Sequence, residues 1–154
     1  MNTLLRITGI RKLISFYRYI YFNQPRLVTF LGVSLILAIG LIHAYALPEH
    51  FEAAPYLGIS FAGVFVLSVT SAFNILRGSY ATGWLPGLVI SGVALVCYLV
   101  SRFFGLPGFG EAQGAWATPF GTVAMGCEAM FISLYVSLIT GMNVSWPEER
   151  GWHD

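Results

Sequence analysis

Charge is what this chain has least of. Asp, Glu, Lys and Arg make up 10% of its 154 residues, whereas soluble domains carry about 25%. That is too little to cover a water-facing surface. The net charge of +1 also leaves no basic footprint for nucleic acid. Cysteine is nearly absent: Cys97 and Cys127 stand alone in apolar runs. Their separation excludes a thioredoxin-type or zinc-ribbon pair, and both read as small buried apolar side chains. Catalytic signatures are missing as well. The glycine-rich stretch 105–110 has no Gly-Lys-Ser/Thr ending, so it is not a nucleotide cradle. No nucleophile elbow and no Ser/His/Asp arrangement occurs, so nothing speaks for an enzyme.

What the chain has in quantity is apolar sequence: 56% of residues are hydrophobic, and the mean hydropathy is +0.72. These residues come in long runs rather than at amphipathic spacing, which makes lipid the expected solvent. Four spans are expected, at about 27–47, 56–76, 84–104 and 118–141. Each is long enough to cross a hydrocarbon core of about 30 Å at about 1.5 Å per residue. The expected fold is an all-α, membrane-spanning four-helix bundle (27–141). It is preceded by a basic leader (1–26) and followed by a short tail (142–154). In the leader, Arg6, Arg11, Lys12, Arg18 and Arg26 alternate with aliphatic and aromatic residues. That pattern suits an amphipathic helix lying in the headgroup layer. The polar stretch 48–55 reads as a short connection, Arg77-Gly78-Ser79 as a stop, and Thr118-Pro119 as a helix N-cap followed by proline.

Cation placement sets the expected orientation. With the N-terminus inside, the five leader cations, Arg77 and Arg150 lie in the cytoplasm, and only Arg102 lies outside. The expected location is the bacterial cytoplasmic membrane, multi-pass, with both ends cytoplasmic.

Three stripes run along the spans at helical spacing: Gly32, Ile36, Gly40 and His43; Gly87, Ser91, Ala94, Tyr98 and Arg102; Gly121, Met125, Glu128, Ile132 and Tyr135. Small residues let helices approach closely in lipid, and each stripe leads towards a polar or ionisable group. Glu128 is the sharpest anomaly. It lies about 14 Å into its helix by the rise per residue, where a charge costs about 3 kcal/mol on insertion scales. Three readings follow. The first is a structural polar cluster in which Arg102, Tyr98 or His43 holds Glu128. The second makes His43 an axial ligand, with Glu128 nearby, for haem or a chlorophyll-type pigment. The third is a metal site built from His43, Glu49, His50 and Glu128. His153, in the tail, reads as solvated.

The segments Ile42–Gly58, Tyr98–Phe109 and the Trp116-x-x-Pro119-x-Gly121 run before Glu128 resemble a widespread family of small, uncharacterised bacterial four-helix membrane proteins. The resemblance covers about residues 29–136. It includes His43, Pro48, Glu49, His50, Arg102, Pro107, Trp116, Pro119 and Glu128. It implies the four-helix arrangement and no particular reaction. The leader and the tail fall outside it and suit docking. The functional expectation is therefore a non-catalytic accessory subunit of a larger membrane complex, respiratory or photosynthetic, in contact with lipid and other membrane subunits. The alternatives are a haem-, pigment- or metal-binding protein using His43 and Glu128, and a small proton- or cation-coupled transporter.

Overall fold

The computed structural model describes residues 24–147. The leader helix expected before Gln24, and the tail with Arg150 and His153, lie outside the described residues. Four helices carry the architecture: α1, Pro25–Ala53; α2, Pro55–Leu76; α3, Leu85–Phe104; α4, Pro119–Ile139. All four are long and apolar enough to cross a membrane, α3 together with the turn before it, Tyr80–Phe104. The chain is a multi-pass, all-α membrane protein.

Helix starts follow proline: α1, α2, α3 and α4 each carry one in their first two positions, where its missing N–H costs nothing. The first helix departs from expectation at its other end. It continues through Pro48, six residues past the expected span, to Ala53. A proline removes only one main-chain hydrogen bond from a helix, and here the loss falls near the end. His50, in the following turn, donates Nδ1 to Ala46 O at 2.8 Å. The connection to α2 therefore shrinks from eight residues to Ala54 alone. Ala54 adopts an extended conformation (φ −158°, ψ 117°), and its N–H bonds to His50 O.

After α2 the chain reverses at Gly78, whose φ of +74° needs a residue without a Cβ. One wide π-helical turn, Tyr80–Trp84, then leads into α3. This turn leaves no hydropathy signal, yet it aims Trp84 inward, where the ring is 1% exposed. A Cβ on Gly32 of α1 would collide with that ring. Trp84 also stacks on Phe131 of α4, with centroids 5.6 Å apart. Ile36, Ile39, Ile75, Phe131 and Tyr135 complete the core.

The other small residues mark close crossings too. A Cβ on Gly40 would sit 2.8 Å from Ser68 Cβ of α2, and one on Gly87 of α3 would sit 2.5 Å from Phe131 and 2.9 Å from Ser71 Oγ. Gly121 of α4 faces Tyr98 of α3 in the same way. These contacts fix α1 antiparallel to α2 and α3 antiparallel to α4.

Both ends of the described chain meet on one side of the bundle. The Trp146 N–H is shared between Thr29 Oγ1 at 2.9 Å and Pro25 O at 3.3 Å. On the opposite side, the 105–118 loop is held to α2 by Tyr56, whose hydroxyl donates to Pro107 O at 2.7 Å.

Candidate functional site

His43 and Glu128 come together in the middle of the bundle, from α1 and α4. His43 Nε2 lies 3.9 Å from Glu128 Oε1, and the two residues are 9% and 2% exposed. The His43 ring is held from behind, since Nδ1 donates to Ile39 O one turn earlier at 2.8 Å. A carbonyl only accepts, so Nδ1 carries a proton and Nε2 is the nitrogen left to address Glu128. Phe61 of α2 packs edge-on against the ring at 4.9 Å. On the far side Phe61 stacks with His50 at 4.4 Å, and His50 in turn meets Phe109 of the loop at 5.2 Å.

The structural cluster expected around Glu128 divides in two. Arg102 does not reach Glu128. Its guanidinium donates to Ala112 O at 2.9 Å and Thr118 Oγ1 at 3.1 Å, and lies 4.6 Å from the Tyr98 ring centroid. The reason is depth. Arg102 sits in the last turn of α3, while Glu128 is level with Ser91, eleven residues earlier, or about 16 Å along the axis. Arg102 and Tyr98 therefore pin the glycine-rich loop instead. Thr118 holds the N-cap position as expected, but its side chain makes no cap bond and accepts from Arg102. Arg102→Leu removes two charge-assisted hydrogen bonds and a cation–π contact, at an expected cost of about 2–3 kcal/mol. The loss would be read as a lowered unfolding midpoint in detergent together with faster protease cleavage within residues 105–118.

The four-residue metal set is not assembled. Among the described residues no three His, Cys, Asp or Glu side chains group closely enough to hold a metal ion. His43 and His50 share a face of α1, but Phe61 stands between their rings. Glu49 points outward and is exposed. The axial-ligand reading also finds no support. Nε2, the atom such a ligand would use, faces Glu128, and the small residues that would open a slot for a macrocycle are filled by Trp84, Ser68, Phe131 and Tyr98.

Two further hydroxyls lie in this interior. Ser68 and Ser91 are both 0% exposed, and neither hydroxyl has a hydrogen-bond partner among the described residues. Ser91 falls on a stripe recognised from spacing, whereas Ser68 carries no signal beyond being a polar residue in an apolar run.

No protein-family model matches the chain, and neither a curated protein nor a solved structure is significantly similar to it.

Proposed function

We propose that this chain is a non-catalytic subunit of a larger complex in the bacterial cytoplasmic membrane, inserted with both ends in the cytoplasm. One observation carries the reading. Gly32, Gly40, Gly87 and Gly121 are each filled by a neighbouring element, but Gly63, Gly92 and Gly126 meet nothing among the described residues: a Cβ on any of them would find no described atom within 4 Å. Glycine costs a helix interior up to about 1 kcal/mol relative to alanine. These three bring no packing among the described residues to offset that cost. In lipid, where helices gain no hydrophobic drive to associate, a bare backbone is the feature that admits a second helix. Gly92 lies beside Val89, Val93 and Val96, which are all exposed, so a stiff, β-branched surface flanks the opening.

The orientation rests on charge. Arg26 and Arg77 stand at the end where the described chain begins and finishes, and four more cations precede Arg26 in the sequence. Arg102, Glu49 and Glu52 occupy the opposite end.

Mild solubilisation of native membranes followed by sizing tests the proposal. The wild-type chain is expected in a particle well above its own 16.9 kDa plus detergent. Gly92→Leu and Gly126→Leu are expected to release it as a small species with unchanged helix content. A wild-type chain that migrates only as the free small species would sink the reading.

A further inference from the structure

The buried pair belongs to a larger layer that takes one polar residue from every helix. Gly87 marks where α2, α3 and α4 meet, against Ser71 and Phe131. One turn further towards the Ala54 end, on the same helix faces, lie Ser68 on α2, Ser91 on α3 and Glu128 on α4. α1 supplies Gly40, packed on Ser68, and His43 one turn beyond. Side chains tilt towards their own helix N-terminus. His43 is thus angled back into the layer, while Ser68 and Glu128, on helices of opposite direction, lean forward into it. All four residues are at least nine-tenths buried.

The serines are unlike their neighbours. Hydroxyls in apolar helices ordinarily bond to a carbonyl one turn back, and Ser60, Thr70 and Ser133 do so, to Tyr56 O, Val66 O and Ala129 O. Ser68 and Ser91 do not, which leaves both oxygens uncommitted in a water-poor interior. Glu128 faces the same kind of mismatch. With Nδ1 protonated, His43 presents Nε2 to the carboxylate oxygen 3.9 Å away, and a neutral ring offers it only a lone pair. The pair therefore calls for one positive charge, on the imidazole or between the two groups.

Charge and ligand type identify that positive species. The layer holds a single carboxylate, so one unit of positive charge neutralises it, whereas a divalent ion would leave a net charge buried in lipid. A proton on Glu128 or on His43 Nε2 would satisfy the pair but leave both serine oxygens unused. Three oxygen-bearing side chains with one negative charge suit a hard monovalent cation, by the same preference that directs hard cations to oxygen ligands. We propose that Ser68, Ser91 and Glu128, with His43 orienting the carboxylate, form a binding site for one sodium ion at the centre of the bundle.

The test is thermal unfolding of the purified chain in detergent, in NaCl, KCl or choline chloride at equal ionic strength. The unfolding midpoint is expected to rise saturably with NaCl and not with choline. Ser68→Ala and Ser91→Ala should each weaken the half-maximal sodium concentration about tenfold while keeping the midpoint measured in choline, and Glu128→Gln should abolish the response. Should Glu128→Gln fail to fold, the two serine variants decide the matter alone. Equal midpoints in sodium and choline overturn the proposal, as does a sodium response that survives both serine substitutions. An equal response to potassium overturns the assignment to sodium. A carboxylic-acid infrared band from Glu128 that persists at saturating NaCl would show a bound proton instead, and would overturn it too.

Discussion

Trp84→Ala is expected to cost about 3–5 kcal/mol of stability, the range for deleting a fully buried aromatic side chain. The ring is 1% exposed, stacks on Phe131 and fills the space over Gly32, so its removal opens a void shared by α1, α3 and α4. Surrounding side chains collapse only partly into such a void, which places the cost at the upper part of that range. Trp84→Phe should recover about half of it, since a smaller ring still covers part of Gly32. The measurement is reversible unfolding of purified protein in mixed micelles, with helix content followed by circular dichroism. A loss below about 0.5 kcal/mol, the usual effect of a surface change, would mean that Trp84 does not hold the bundle together.

His43→Ala is the second large effect, and its sign depends on what remains. Removing one member of a buried pair leaves the other group desolvated without a partner, which costs about 3–5 kcal/mol. Replacing both with apolar residues of similar volume removes that penalty. The double variant His43→Leu/Glu128→Leu is therefore expected to be at least as stable as wild type, while His43→Ala alone is strongly destabilised. A mutant cycle over the two positions reads this directly. Additive effects would show that the 3.9 Å approach carries no coupling. If the layer serves a ligand, the double variant is also the one that keeps the fold and loses the response to sodium.

These two cases show where the chain can be read from its letters and where it cannot. Runs of apolar residues define the four helices because hydrocarbon demands them, and the stripes that contain His43 and Glu128 follow from helical spacing. Trp84 is legible only as the start of a span. Its inward direction comes from the π-helical turn, a main-chain adjustment over Tyr80–Trp84 that no periodicity announces. Pro48 misleads in the opposite sense: beside Glu49 and His50 it reads as a loop, yet the helix around it tolerates one missing bond. Arg102 looks able to reach Glu128 because both sit in apolar sequence, and only the register between α3 and α4 separates them by several turns. Ser68 is silent, since one hydroxyl in an apolar run says nothing until its usual carbonyl partner is seen to go unused.

The joint at Ala54 has a consequence for how the bundle can move. With a single extended residue between a 29-residue helix and a 22-residue one, there is no slack for α1 to slide along its axis while α2 stays in place. The two behave as one closed hairpin, with Glu49 and Glu52 near its tip. Any shift of His43 towards or away from Glu128 would therefore carry Ser68 with it.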